Sequence, residues 1–580
     1  MNFQNVLDIV DSRNDLVSYG NNSLMIWALQ IRYQIEDATN FAANNLTDGF
    51  GDKKCDLIWV NRDDEFAIIA QSYRKKDEFD TGEAPANKAS DLNVAISWVL
   101  GDVELELIPD CIKAGVKDLR EAIADGEIST LYVLYFHNMH ESKNVQDELD
   151  RVKETAQKYL INSLKKVNVI SKEIGQETII DWFESISNPI LVNDSFEIKY
   201  EDGYEIKEVD WEAITTTIRA DWLYDIYTKY GDKLFSANQR GYLGSRNSDS
   251  NINNGIKESA IYSPQNFWAF HNGISIIVND YSISDDKSNL IIKGISIING
   301  AQTTGAIGNL SQKPDHKLQI HARFIKCLNR NIINYIVRFN NSQNRMIPSD
   351  FRSTDPIQKK LIQEFIEYPH EIIYSGGRRG SESDAISRNP NSLSSDTVAQ
   401  GLTAFHGRPD IAYKYKGRIW LENHNYDLIF NDRTSCKHIL FVFSLFNQIS
   451  KVTQGLKQKP ENELTDIEKS QLQLLSGRGG VFLLIYAISE SMETFLKRRI
   501  SDRQSLKFTG TEKIEVYQGY WIPIINIALS FAGTLQQGLV KYTFTLEDIR
   551  DAISRFTQLI QSTEQSNIEI YKKFASCVDL

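Results

Sequence analysis

A multidomain α/β (α+β) protein is the fold class this chain predicts, and three observations predict it. Its 580 residues exceed what one hydrophobic core sustains, which sets an expectation of roughly two to four domains. Through residue 430, short β-branched runs alternate with longer apolar-periodic segments, the mixture expected of strands and helices. After residue 430 the patterns are those of a helical bundle.

Composition narrows the class. Hydrophobic residues make up 41% and charged residues 24%, the balance of a folded globular chain. No apolar run approaches the roughly 20 residues of a membrane span, so no membrane partner is expected. Residues 1–15 have neither a basic start nor a long apolar stretch, so no secretory signal is expected. The five cysteines are scattered and form no CxxC, which argues against a disulfide framework or a zinc site and fits a reducing cytoplasm. A net charge of −13 excludes a protein that coats nucleic acid along its whole surface but leaves room for a local basic site.

In the first 150 residues the spacing of Leu24, Ile26, Trp27, Leu29, Ile31 and Ile35 predicts a helix within 22–44, with Glu36 and Asp37 in its later half. Residues 56–61 and 65–73 read as two strands of a hairpin turning at Arg62-Asp63-Asp64. If the turn centres between Asp63 and Asp64, Asp56 faces Gln71, and period-two alternation puts Gln71, Tyr73 and Lys75 on the face of Asp56, provided the strand stays regular to 75. A carboxylate and an amide oxygen can hold Mg²⁺, and a lysine beside them can orient or deprotonate an attacking water. The alternative is a solvated strand end with a basic tail, Ser72-Tyr73-Arg74-Lys75-Lys76. Ser90–Leu100 reads as a helix capped by Ser90 or Asp91, and Thr130–His137 as a buried strand. Residues 151–204 read as a helical linker.

The hairpin resembles the PD-(D/E)xK nuclease core in its Mrr-like form, in which an Asp precedes a strand carrying Gln-x-Lys. Asp56 and Gln71 match; the lysine position is Tyr73, with Arg74 and Lys75 within two residues of it. The resemblance implies a restriction-endonuclease-like α/β core over 1–150, active or degenerate, with Glu36 as the upstream acidic residue of that fold.

In the centre, Trp211–Tyr230 reads as a helix, and 234–260 as a polar loop carrying Asn238, Arg240, Arg246, Asn251, Asn253, Asn254 and Lys257. Two apolar β-branched runs then meet Asn272-Gly273 and Asn299-Gly300. The second pair is followed by Ala301-Gln302-Thr303-Thr304 and small residues. Strand, tight glycine turn and helix start is the order that aims backbone N–H groups at an anion. The plainer alternative is a glycine that turns the chain and a threonine that caps a helix. Ile320–Cys327, with Arg323, reads as a strand and Asn331–Asn340 as a helix. Asn340, Asn341, Gln343, Asn344 and Arg345 form a second amide cluster, Asp355-Pro356 opens a helix, and Arg378 and Arg379 sit on a Gly/Arg turn.

The collinear segments NQRGYLG, NNGIKES, FWAFHNGISI, IINGAQTTGAI and NNSQNRMIPSDFRSTDPIQ resemble the AIPR (abortive infection phage resistance) family over about 205–430, with His271 standing where the family usually has Asn. The resemblance implies an antiphage defence protein whose members commonly carry an Mrr-like unit at the N-terminus, and a phage component as a partner. IINGAQTTGAI is also similar to the DGQQRLTTL motif of ParB/sulfiredoxin-like nucleotide-binding domains. That likeness implies contact with ATP, another NTP or a phosphate through Asn299, Gly300, Gln302, Thr303 and Thr304, with Asn272, Gly273, Arg240, Asn341 and Gln343 around them.

Residues 400–450 read as strands and a helix, 451–475 as a polar linker, Val481–Ile500 as one apolar helix, and Thr545 to Asp548 as a capping box. Residues 431–580 thus read as a helical domain whose paired helices bury an internal core or a homodimer interface. The expected function is a Mg²⁺-dependent nuclease unit, acting on DNA or RNA, governed by a nucleotide- or nucleic-acid-binding centre. The alternatives are a non-catalytic binding platform and an NTPase switch.

Overall fold

The computed structural model describes residues 2–47, 49, 51–76, 82–237, 247–327, 329–340, 349, 352–376, 389, 391–539 and 544–580. Its first unit runs α1 (Phe3–Ser12), α2 (Ser23–Tyr33), α3 (Ala38–Asn45), β1 (Leu57–Asn61), β2 (Phe66–Tyr73), α4 (Ala86–Leu100), α5 (Asp110–Ala124), β3 (Thr130–His137), α6 (Lys143–Tyr159), β4 (Asn168–Ile174) and α7 (Gln176–Ser187). The sheet order is β1-β2-β3-β4, with an antiparallel hairpin followed by parallel pairs. Helices cover both faces, and every residue of β3 is buried. Leu57, Trp59, Ile68 and Leu134 pack with α1, α2, α3 and α7, whereas Ile58, Ile69, Val133 and Val169 pack with α4, α5 and α6. In α6, Val145, Leu149, Val152 and Ala156 form the buried stripe, and Ser142 caps its start.

The second unit contains β5 (Val192–Lys199), β6 (Gly203–Lys207), β7 (Trp211–Arg219), α8 (Ala220–Tyr230), α9 (Asn247–Tyr262), α10 (Phe267–Phe270), β8 (Ile274–Val278), β9 (Asp280–Ile283), β10 (Asn289–Asn299), α11 (Ala301–Gly308), β11 (Gln319–Cys327) and α12 (Arg330–Asn340). Its order is β5-β10-β8-β11-β7-β6, with β9 also on β10, and only β8–β11 is parallel. Ile214, Ile276, Ile297 and Phe324 face α8, α9 and α11, while Ile277, Ile298 and Ile325 face Ile333 of α12.

The helical body that follows has one hydrophobic core reaching from Leu361 to Val578, uninterrupted at residue 430. Among the described residues no single helix is long and apolar enough to cross a membrane.

Several local expectations are corrected. Trp211–Arg219 is a strand, because its Thr- and Ile-rich alternation buries every second side chain over much of its length; the helix begins at Ala220. Residues 247–260 are helical, anchored by Ile256 and Ala260, and not a loop. The helix of residues 22–44 breaks at Gln34, whose φ of 51° ends α2 in a left-handed cap. The α4 helix starts at Ala86, behind Pro85, ahead of Ser90. Between 151 and 204 lie β4, which completes the first sheet, then α7 and β5. The stretch 400–450 carries helices and no strand. The expected linker of 451–475 is mostly helix, to Lys457 and again from Asp466. The Val481–Ile500 helix breaks after Glu490, and Lys497, at φ 55°, ends the next short helix. The Asp355-Pro356 helix start and the Thr545–Asp548 capping box are present.

Candidate functional site

The hairpin pairs Leu57 with Ala70 and Asn61 with Phe66, so the ladder stops one residue short of the expected Asp56–Gln71 pair. The Asp56 N–H donates to the Ala70 carbonyl at 2.9 Å. The chain then leaves the ladder, and the Asp56 carboxylate takes over as acceptor: the Ser72 N–H donates to Oδ2 at 2.6 Å. Gln71 is only 6% exposed, yet its Oε1 has no hydrogen-bond partner. On the neighbouring strand its register partner is Tyr135, fully buried, whose hydroxyl is also without a partner. Burial pushes the Tyr135 phenol up, with further contributions from Tyr73, Glu173 and Asp91, which places those groups around it. An unsatisfied buried polar atom costs about 1–3 kcal/mol. Two of them side by side, next to a carboxylate, suit a bound cation or its waters.

The row ends in a sealed pair. His137 Nε2 lies 2.9 Å from Glu173 Oε1, and the Met139 N–H donates to His137 Nδ1 at 3.2 Å, so Nε2 carries the proton and donates to Glu173. The Ser142 N–H occupies Glu173 Oε2 at 2.9 Å. Both imidazole nitrogens are used, and the pair closes the site's floor. Among the described residues no group of three or more His, Cys, Asp or Glu side chains is placed to hold a metal. The Asp56–Gln71 pair therefore fits a cation that keeps several of its waters, as Mg²⁺ does, and does not fit a fully protein-ligated ion.

Of the other expected members, Arg74 and Glu36 stand elsewhere. β2 ends at Tyr73, so Lys75 does not continue its face; Asn138 clamps the Lys75 main chain, accepting from its N–H at 2.8 Å and donating to its carbonyl at 2.7 Å. Arg74 turns to the opposite face, where Asp11 of α1 holds it at 2.6 Å and Ser23 of α2 accepts from it at 3.1 Å. Tyr73 packs partly buried against the α4–α6 core. Glu36 lies at the wrong end of the sheet. The Tyr33 ring packs 5.0 Å from Trp59 and 5.1 Å from Phe66, over the hairpin's turn, and Glu36 beyond it accepts from Ser394 Oγ at 2.7 Å. That contact sits at the N-terminus of the helix Ser395–Phe405, where a carboxylate is favoured.

In the second sheet the two Asn-Gly turns meet. Gly273 has φ +75° and a Cβ there would lie 2.1 Å from the His321 carbonyl oxygen; Gly300 has φ +87° and its Cβ would lie 2.5 Å from Ile274 Cγ2 and 2.8 Å from the Gly273 carbonyl oxygen. These glycines are required by close packing. Thr304 is fully buried and its hydroxyl donates to the Gly300 carbonyl at 3.0 Å, so it serves the helix. Thr303 is buried, Gln302 is half-buried, and Asn272 is exposed. Arg240, Asn341, Gln343, Arg378 and Arg379 lie outside the described residues.

A polar row not assembled by sequence reasoning crosses the α12 face. Asn299, Ser275 and Arg323 are register neighbours on β10, β8 and β11. Asn299 Nδ2 donates to the Asn340 carbonyl at 2.6 Å, and the Arg323 guanidinium donates to Ser275 Oγ at 3.0 Å and to Asn340 Oδ1. Arg323 Nε is buried without an acceptor. Amides and an arginine recurring at strand ends were visible in the sequence; that they form one row depends on the crossover topology. His271, the departure from the family pattern, is pinned by Ser259 of α9, whose Oγ lies 2.6 Å from its Nε2.

A family model described as AIPR protein matches residues 235–559, more than half of the chain. The match extends through the helical body, well past the motif segments near its start. No curated protein and no solved structure matches.

Proposed function

The chain belongs to the AIPR family, and on that premise we propose that it is an antiphage defence protein of the abortive-infection kind whose first unit hydrolyses phosphodiesters of DNA or RNA with Mg²⁺. The observation that carries the reading is the Gln71 Oε1 atom, buried and unpartnered on the row of Asp56. Asp56 and Gln71 would hold the ion, which when bound stabilises charge on the phosphate oxygens. The protein's own part is positioning. The Ser72 N–H fixes one Asp56 oxygen, the His137–Glu173 pair fixes the floor, and the Tyr135 hydroxyl is available to donate to a bound oxygen. In the reaction a water oxygen forms a bond to phosphorus and loses its proton to solvent. The bond to the leaving sugar oxygen breaks with its electron pair, and that oxygen takes a proton from solvent.

For the centre, we infer that Arg323, Asn299 and the N–H groups at the start of α11 take a phosphate of a nucleotide such as ATP, or of nucleic acid. Support comes from the Arg323 Nε atom, which lacks an acceptor, and from a helix start with no side-chain cap. A second reading, a non-catalytic nucleic-acid platform, is favoured by Tyr73 at the lysine position.

The test is incubation of plasmid DNA, single-stranded DNA and RNA with Mg²⁺ or Mn²⁺, with and without ATP. Cleavage that disappears in Asp56→Ala is the expected result. Retention of nucleic acid without cleavage under every condition selects the platform.

A further inference from the structure

The chemistry proposed for the Asp56–Gln71 end needs a positive charge beside the scissile phosphate, and position 73 does not supply it. Arg74 is spent on Asp11 across the sheet, and Lys75 follows the end of β2. Lys54 stands two residues before Asp56, in the turn where the Cys55 N–H donates to the Asp52 carbonyl at 3.2 Å. There the chain bends away: Lys53 and Lys54 have φ of 57° and 67°, the left-handed region that non-glycine residues seldom enter. Such backbone concentrates at functional positions.

The bend is held by α4, the helix covering the face of Gln71, Tyr73 and Tyr135. Lys53 Nζ sits 4.5 Å from the Trp98 ring centre, and Lys54 Nζ is 3.8 Å from Asp91 Oδ2. Asp91, which Lys54 meets, is one of the charges acting on the Tyr135 phenol. Lys54 is 48% exposed and its carboxylate partner 31%, a contact loose enough for an incoming phosphate to displace. Lys88 also approaches Asp91, at 3.9 Å, but from the preceding turn of α4, whereas Lys54 is two residues from Asp56 in the chain.

We propose that Lys54 is the catalytic ammonium of this site, donating to a non-bridging oxygen of the scissile phosphate and to the attacking water in place of the residue missing at position 73. This rests on the nuclease reading above. The bond changes are those already given for hydrolysis, with the water's proton passing to solvent.

The experiment pairs a cleavage assay with calorimetric titration of Mn²⁺ into the same full-length proteins. Lys54→Ala is expected to lose about 10²-fold in cleavage rate while binding Mn²⁺ as the wild type does, and Lys54→Arg to recover part of the rate. Lys54→Asn, which tolerates the left-handed backbone, is expected to behave as Lys54→Ala and guards against a folding defect. Lys88→Ala is expected to stay within about twofold, since the charge removed is not the one at the phosphate. Wild-type cleavage in Lys54→Ala and Lys54→Asn, with loss in Asp56→Ala, overturns the Lys54 assignment and leaves the nuclease reading standing. A wild type that neither cleaves nor binds Mn²⁺ overturns both.

Discussion

The two ends of the β1–β2 hairpin carry similar residues and are treated oppositely. At the turn end charges are met. Arg62 Nη2 lies 2.8 Å from Asp118 and Nε 2.5 Å from Glu127, and the Gly417 N–H of the helical body donates to Asp63 at 2.8 Å. Arg478 of the helical body donates to the Ile58 carbonyl at 2.9 Å, beside Leu57 where β1 opens. At the open end Gln71 and Tyr135 are left unsatisfied beside Asp56. An unpaired buried oxygen exists near the turn too, on Glu121, but Glu121 faces Lys414 and Lys117. The difference teaches that an orphaned atom alone is not a site. An orphan amide and an orphan hydroxyl on neighbouring strands, beside a carboxylate at the hairpin's open end, is the arrangement that leaves room for a ligand.

The largest effect expected from breaking this contrast is at the turn end. Arg62→Ala strips a buried carboxylate of its main partner and is expected to cost about 4 kcal/mol in denaturant unfolding; a loss under about 1 kcal/mol would mean the turn end is no better paired than the open one. Next comes a pH effect. Burial raises the Glu121 carboxyl from 4.5 to about 7. A raised carboxyl contributes its full stability below its unfolded value, and that contribution is lost as pH climbs through the folded one. Wild-type stability should therefore fall between about pH 4.5 and 7 by roughly 3 kcal/mol from this group, and Glu121→Gln should flatten that limb. Equal pH profiles for the two proteins would contradict it. The smallest effect sharpens the contrast most. Gln71→Leu is expected to gain about 1 kcal/mol, because it removes an unsatisfied buried amide, while abolishing the site's chemistry. A destabilised Gln71→Leu protein would show that the amide is structural.

How much of this was legible in the sequence follows from the range of each interaction. The hairpin register needed only a turn position and alternation, so the ladder from Leu57–Ala70 to Asn61–Phe66 and buried Thr130–His137 were readable. Glu36 stands apart from Asp56 because its position depends on which way α2 runs over the sheet, a tertiary fact fixed by Tyr33 on Trp59 and Phe66. Arg323 and Asn340 join Asn299 through a parallel β8–β11 pairing that no local pattern announces. The core spanning Leu361 to Val578 ignores the change of composition near 430, since buried apolar side chains pack without regard to the polar segments between them.

The most direct measurement is calorimetric titration of Mn²⁺ into the wild type, Gln71→Leu, Asp56→Ala and Glu36→Ala. One binding event, lost in Gln71→Leu and Asp56→Ala and kept in Glu36→Ala, is the result predicted for a cation site at the hairpin's open end. Binding that survives both Gln71→Leu and Asp56→Ala, or no binding by a folded wild type, would contradict it.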